Sequence, residues 1–388
     1  MLSLEEKKWI KDHLEADITK LAFKLSKIQG IHHQKIVQQI EQRRKMRLKC
    51  PSWSENFSIY FPYGLSSEQS SSQVTAMFKS TLIEGRILDI TAGMGMDVWA
   101  FSKNIKNKVE AWERNPELIE ISKYNHKILQ TGVKWCLGDG YEYLLKTDER
   151  YDWVYVDPAR RGKEGQKLIQ LKDCEPNIVD LVEKRPSFQY LFKLSPVLDI
   201  QQAVQELGGV EKIWIIVFNN EVKELLIKKS VNSTTDPEIT ILELGSQETK
   251  GKVLMIGKKS AEKIEEVRIG EMAKYLYEPS AGILKAGFFK LIQGKNKFKI
   301  HPNTHLYTSE LLDETFPGKI MEVLYTGKFE KGKVEKIIGN KVEIIERNFP
   351  IKPKEIYQKL KLQAGGEYFL FCYRNKVEKL EMSICKRV

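Results

Sequence analysis

The stretch RILDITAGMGMDVWAF, residues 86–101, decides how the chain is read. An apolar run carries an acid at its end, Asp89. Two glycines, Gly93 and Gly95, follow two apart, and a new apolar pattern begins near Val98. Strand, glycine turn and helix in that order form a nucleotide-type binding turn, because glycine lets the backbone take positive φ and approach a ligand closely. A dinucleotide turn requires G-x-G-x-x-G, with a pyrophosphate received at the helix N-terminus. Here the third glycine is replaced by Val98, and Asp97 puts a carboxylate where a phosphate would bring its own negative charge. The turn therefore suits an adenosyl ligand without phosphates better than NAD.

Working outward, three more acids close the next strand-like segments. VEAWERN supplies Glu113, where a ribose would need an acceptor for its hydroxyls. VKWCLGD supplies Asp139, where an adenine amino group would need one. YDWVYVDPARRG supplies Asp157, beside the expected reactive end of the ligand. S-adenosylmethionine is the phosphate-free ligand that this series fits. The candidate cofactor residues are Asp89, Thr91, Ala92, Gly93, Gly95, Asp97, Glu113 and Asp139, and the candidate catalytic residues are Asp157 and Arg160.

Apolar segments alternate with helical patterns over this region: RILDI, VEAWE, VKWCLGD, YDWVYVD, FQYLFKL and KIWIIVF. Such alternation predicts βαβ units and a parallel sheet covered on both faces. EITILEL and KVLMIG, separated by a polar turn, predict a closing hairpin. Residues 1–80 read as a helical region. Trp9, Ile10, Leu14, Ile18, Leu21, Ala22 and Leu25 recur at helical spacing, and a second helix runs from His33 to Pro51. Trp53, Phe57, Tyr60 and Phe61 in the following loop are expected to pack on the next domain. The boundaries expected are 1–80 helical, 81–262 Rossmann-like α/β, and then an α+β module divided into 263–320 and 321–388.

Composition bounds the rest. With 388 residues and 41% apolar content the chain has material for two or three cores. No apolar run approaches the roughly 20 residues a membrane helix needs, and MLSLEEKKWIKDHLEADI has no apolar signal core, so a cytoplasmic location with no membrane partner is expected. The five cysteines, Cys50, Cys136, Cys174, Cys372 and Cys385, never stand at C-x-x-C spacing, which argues against a zinc site or a disulfide framework. No metal is expected. The net charge of +11 fits a polyanionic partner or a lysine-rich proteome. Two basic segments stand out. Arg43, Arg44, Lys45, Arg47 and Lys49 end the second helix, as a phosphate-contacting arm or as cations at a helix C-terminus. Lys285, Phe288, Phe289, Lys290, Lys295, Lys297, Phe298 and Lys299 interleave cations with aromatics, as a grip on single-stranded nucleic acid or as an amphipathic element with buried rings. No feature of the sequence specifies an oligomeric state.

On LDITAGMGMD, EQSSSQVTAMFK, VDPARRG, KLSP, YLYEPSAGILKAG and RNFPIKPKEIYQKLKLQAGGEYFLF, the chain resembles a class I S-adenosylmethionine-dependent methyltransferase. More narrowly it resembles the bacterial group with a ferredoxin-like piece and a THUMP-like domain after the catalytic domain. The resemblance covers most of the chain. It implies a Rossmann-like, seven-stranded methyltransferase domain and a ferredoxin-like/THUMP-like C-terminal module. It also implies RNA as substrate (tRNA or rRNA), because THUMP domains belong to RNA-modifying enzymes.

The chemistry beside the methyl group is read from Asp157-Pro158-Ala159-Arg160. In N-P-P-Y or D-P-P-Y an acid or amide accepts from an amine and an aromatic stacks on the base; here Arg160 replaces the aromatic. D-P-A-R-x-G is similar to the fourth motif of RNA 5-methyluridine methyltransferases. Those enzymes use a cysteine after the fifth strand, where this chain has Phe192-Lys193-Leu194-Ser195-Pro196. Cys174, the nearest thiol, reads as a packed small hydrophobe. Arg160 and Arg161 are placed to hold RNA phosphate or to pair with Asp157 or Glu164; Lys193 and Gln69 are weaker candidates. The competing expectations are an RNA-binding protein with an inactive methyltransferase domain, a methyltransferase for a non-RNA substrate and, more distantly, a nicotinamide dehydrogenase.

Overall fold

The computed structural model describes residues 2–25, 32–64, 70–160, 170–245 and 251–388. The chain divides into two compact units. One holds Met1–Phe218, Lys223–Pro237 and Glu243–Lys252; the other holds Asn219–Val222, Glu238–Leu242 and Val253–Val388.

The first unit opens with helices Leu4–Asp12, Ile18–Leu25, His33–Lys49 and Pro51–Glu55. The first is started by a capping box, in which Ser3 and Glu6 each satisfy the other's backbone N–H. Ile10, Leu21, Ile36 and Ile40 form its small core. Arg43 points into this region, not out of it. It is 1% exposed and donates to the carbonyls of Ser54 (3.0 Å), Asn56 (3.1 Å) and Ile59. Arg44 donates to Leu14 and Ala16 carbonyls, and Arg47 pairs with Glu15. Three cations of the expected arm are thus engaged with this chain.

Trp53 and Phe61 do pack on the next element. With Met46 and Cys50 they share a cluster with Met94, Met96 and Trp99 of the glycine turn and its helix. The carboxamide of Asn125 exchanges 2.8 Å hydrogen bonds with both backbone groups of Tyr60, which pins the loop to helix Pro116–Ile128.

The sheet of this unit is built from β1 (Arg86–Asp89), β2 (Lys108–Glu113), β3 (Lys134–Leu137), β4 (Trp153–Val156), β7 (Tyr190–Leu194), β8 (Lys212–Phe218) and β9 (Glu221–Lys229), in the spatial order β3-β2-β1-β4-β7-β9-β8. A short ribbon, β5 (Ala159–Arg160) with β6 (Cys174–Glu175), lies between β4 and β7 in the chain. β3, β2, β1, β4 and β7 are parallel, and β9 runs antiparallel to β7. One of these strands, β9, is not among the apolar segments read from the sequence. EVKELLIKK has the spacing of a helix. It is a strand because Asn219 and Asn220 both take positive φ (51° and 57°), the two-residue hairpin turn that matches sheet twist. The chain reverses direction across the sheet between β1 and β4, so the carboxyl ends of β1, β2, β3 and β4 open on one crevice, the usual ligand position of such sheets.

In the second unit β10 (Glu238–Glu243) and β11 (Lys252–Gly257) are adjacent strands, as expected of the hairpin. A seven-stranded sheet follows, in the order β13-β14-β12-β15-β18-β17-β16. Its strands are β12 (Tyr275–Pro279), β13 (Phe298–His301), β14 (Thr304–Ser309), β15 (Gly318–Lys328), β16 (Glu343–Arg347), β17 (Tyr368–Arg374) and β18 (Leu380–Arg387). Only β16 and β17 are paired in parallel, through helix Pro353–Leu360, whose Ile356 and Leu360 bury against Leu370 and Ile384. Much of the lysine–phenylalanine segment is interior. Phe288, Lys297 and Lys299 are 0%, 7% and 3% exposed, Lys297 pairs with Asp313 and Lys299 donates to the Pro302 carbonyl at 2.6 Å. Phe298 is half exposed and Lys295 exposed. Among the described residues no helix is long and apolar enough to cross a membrane.

Candidate functional site

At the crevice lies a cavity of about 890 Å³. Nine of the ten candidate residues line it: Asp89, Thr91, Ala92, Gly93, Gly95, Asp97, Glu113, Asp139 and Asp157. The tenth, Arg160, lends its backbone to β5, opposite Cys174. Its side chain, with Gln69, Arg161 and Glu164, lies outside the described residues.

The glycine turn is shaped as the sequence demands. Gly93 (φ 57°) and Gly95 (φ 87°) are both left-handed. The space above Gly93 is open: a Cβ there meets nothing closer than the Thr91 carbonyl at 4.0 Å. At Gly95 a Cβ would run into the imidazole of His126 and the ring of Trp135 at 2.9 Å. His126 is buried and donates through Nε2 to the Gly95 carbonyl at 3.1 Å while Nδ1 meets Thr131 Oγ1 at 2.9 Å. Burial pushes its pKa down to about 4, so it is a neutral spacer.

The four strand-end acids play different parts. Asp89 is 1% exposed and accepts the Thr91 N–H at 2.8 Å through Oδ1. Burial, with Asp97 and Asp157 nearby, drives its pKa well above the ordinary carboxylate value. Thr91 in turn receives the Asp157 N–H at 2.7 Å, tying the ends of β1 and β4 together. Glu113 accepts the N–H groups of Gly93 (2.9 Å) and Asn115 (2.8 Å), so it braces the turn. Asp139 is the N-cap of helix Gly140–Lys146 and takes the N–H groups of Tyr141 and Glu142 on Oδ1. Both acids still border the cavity.

Asp97 is engaged from within the protein. It borders the cavity, but its oxygens are held by protein. Lys79 lies 2.9 Å from Oδ1, and Oδ2 accepts from Ser71 Oγ (2.7 Å) and Tyr155 OH (2.8 Å). Lys79 is wholly buried and also meets Glu224 at 2.9 Å and Ser71 at 2.6 Å. Burial alone would raise Asp97; Lys79, Lys193 and the Ser71 hydroxyl outweigh it and hold the acid below its ordinary value. The physical reason is that the first turn of the helix Met96–Ser102 faces Lys79 of helix Gln73–Ser80, an ion pair between two helix faces that the sequence spacing does not reveal.

Other lining residues escaped the sequence reading. Trp112 stacks on Tyr143 with centroids 4.2 Å apart, Tyr141 donates to Asp180, and Arg114 pairs with Glu175 of β6. Their signal is position: they sit just before or after the strand-end acids. Cys174 is 9% exposed, packed as expected, yet it also borders the cavity. Among the described residues no group of histidines, cysteines and acids is arranged to hold a metal.

Residues 275–317 match a ferredoxin-like domain and residues 318–387 a THUMP domain-like family. The first segment contains no cysteine, so "ferredoxin-like" describes a fold and not an iron–sulfur site. The chain is 30% identical to a protein from Porphyromonas gingivalis W83 whose crystal structure is presented as that of a presumed methyltransferase. The match covers 99% of this chain and 98% of that one, with a TM-score of 0.86. Two more distant likenesses are to a presumed class I S-adenosylmethionine-dependent methyltransferase from Listeria monocytogenes (12% identity, 63% of this chain and 95% of that one, TM-score 0.37) and to M. capricolum TrmK in complex with S-adenosyl-homocysteine (14% identity, 42% and 70%, TM-score 0.31). No curated protein matches the chain.

Proposed function

Because the chain belongs to the family of the Porphyromonas gingivalis protein, we propose that it is an S-adenosylmethionine-dependent methyltransferase that modifies a base of structured RNA, tRNA or rRNA. The observation that carries the cofactor is charge. Eight acidic residues and two cations, Arg114 and Lys172, are among the described residues lining the cavity of a chain whose net charge is +11. A pyrophosphate would meet that wall with like charge; a ligand bearing a sulfonium and an ammonium meets it with opposite charge. The volume suits a nucleoside joined to an amino acid.

Asp89 would hold a cationic group of the cofactor, and Gly93 would let it lie against the turn. Glu113 and Asp139 would face the ribose and the adenine, with Trp112 and Tyr141 at the base. When bound, the cofactor supplies a methyl carbon on a cationic leaving group. The protein's part is then to place the nucleophile in line behind that carbon. Asp157, which borders the cavity at the end of β4, would orient the target. The N-terminal 80 residues, the methyltransferase domain 81–262, and segments 263–320 and 321–388 are the divisions that fit this reading. RNA is supported by the basic charge and by the THUMP-like match. A cytoplasmic setting fits five free thiols.

The test is labelled-methyl transfer to total RNA from a strain lacking the protein, beside the Asp157→Ala variant. Label in one RNA species, lost in the variant, supports the proposal. Cofactor bound without label in RNA turns it to a non-RNA substrate or to an RNA-binding protein with an inactive domain.

A further inference from the structure

Lys193 is the penultimate residue of β7 and is not among the residues that line the cavity. It reaches the site through Asp157, whose Oδ2 its Nζ meets at 2.5 Å. The lysine side chain is 13% exposed and that of Asp157 34%, so the ammonium stands behind the wall and the carboxylate in it. Asp157 Oδ1 accepts no hydrogen bond from the described residues. Every neighbouring element adds charge. Asp89 comes from β1, Asp97 from helix Met96–Ser102, Glu224 from β9 and Lys79 from helix Gln73–Ser80; the Tyr155 hydroxyl comes from β4 itself. Four acidic side chains and two ammonium groups thus share this region.

We propose that Lys193 is a positioning residue, which holds Asp157 as a carboxylate with one oxygen turned toward a hydrogen-bond donor on the substrate. This rests on the methyl-transfer reading. A carboxylate already in contact with an ammonium is a poor base, so Asp157 aims the donor N–H or O–H and does not take its proton. The nucleophile's lone pair forms the new bond to carbon, the electron pair of the broken C–S bond stays on sulfur, and the proton passes to water.

Two opposing influences act on Asp157. Burial and Asp97 push its pKa up; Lys193 and Lys79 pull it back without cancelling the rise, so it stays above the ordinary carboxylate value. Burial would discharge Lys193, but Asp157, Glu224 and Asp97 overcome that and raise its pKa, so the ammonium keeps its charge. Without Lys193 only the upward push and the more distant Lys79 remain, and Asp157 needs a higher pH to ionise.

The experiment is a ¹³C-carboxyl NMR titration of the full chain labelled at aspartate, with the Asp157 signal assigned from Asp157→Asn. Lys193→Met, Lys193→Gln and Lys193→Arg are compared with the parent. The expected result is a midpoint for Asp157 raised by about one pH unit or more in Lys193→Met and in Lys193→Gln, and restored by Lys193→Arg. A midpoint that stays at the parent value in whichever neutral variant folds would overturn the proposal. Calorimetry with S-adenosylmethionine on the same samples keeps the two ideas apart. Binding with an unmoved midpoint sinks the role of Lys193 alone, whereas no binding sinks the cofactor reading while the titration still decides Lys193.

Discussion

The carboxylate of Glu113 accepts the backbone N–H of Gly93 at 2.9 Å, so the acid that ends β2 and the first glycine after β1 form one unit. The same carboxylate takes the Asn115 N–H at 2.8 Å. Glu113 therefore braces the turn whether or not a ribose also reaches it. Glu113→Ala leaves both N–H groups without this acceptor and should cost roughly 1–3 kcal/mol of stability. Glu113→Gln keeps one good acceptor and should cost less. Urea unfolding midpoints of the two variants check the order.

The two glycines of the turn should respond differently to one added methyl group. Gly95→Ala pushes a Cβ into His126 and Trp135, so it should destabilise the fold by at least about 1–3 kcal/mol. Gly93→Ala meets open space and bears only the left-handed backbone penalty, roughly 1–2 kcal/mol, which Gly95→Ala bears as well. Its methyl group enters the cavity, so its larger effect should fall on cofactor affinity. Melting temperature and calorimetric affinity, measured on both variants, separate the two cases.

His126 should make the fold acid-sensitive. Its folded pKa of about 4 lies below the ordinary 6.5, so the unfolded chain takes up a proton that the folded chain refuses. Stability present above pH 6.5 is then lost between 6.5 and about 4, by about 1.4 kcal/mol per pH unit. His126→Gln removes the titrating group and should flatten that part of the stability–pH curve. Denaturation midpoints across the window give the comparison.

Arg43 should behave as a structural residue and not as an RNA contact. Arg43→Met leaves three carbonyls without their donor, and stability should fall by about 2 kcal/mol or more. Affinity for RNA, measured well below the melting temperature, should keep the parent's salt dependence, because no phosphate contact has been removed.

What the sequence made legible was local. Asp89, Gly93 and Gly95 could be read because a strand, a pair of left-handed positions and a helix follow one another within a few residues. Glu113, Asp139 and Asp157 could be read because parallel strands end on one edge. What could not be read was set by contacts between distant segments. Lys79 meets Glu224 across 145 positions of sequence, and Asp97 is claimed by that pair. Arg43 looked like one cation of a basic run, since nothing local marks the carbonyls of Ser54, Asn56 and Ile59 as its partners. β9 was hidden because the EVKELLIKK pattern is helical in period, and only the Asn219-Asn220 turn announces a hairpin.

The most direct test of the account is a calorimetric titration of the full chain with S-adenosylmethionine at several pH values, beside Asp89→Asn. Burial raises the pKa of Asp89, so the folded protein keeps a proton that the unfolded chain has released. Asp89 thus adds stability at low pH that is lost as pH climbs through its folded value. A bound cation favours the carboxylate, so affinity should rise across that same window. The account predicts one site per chain, tightening with pH in the parent, and a roughly tenfold or larger loss of affinity with a flattened pH dependence in Asp89→Asn. No binding in the parent, or equal affinity in parent and variant at every pH, would contradict it.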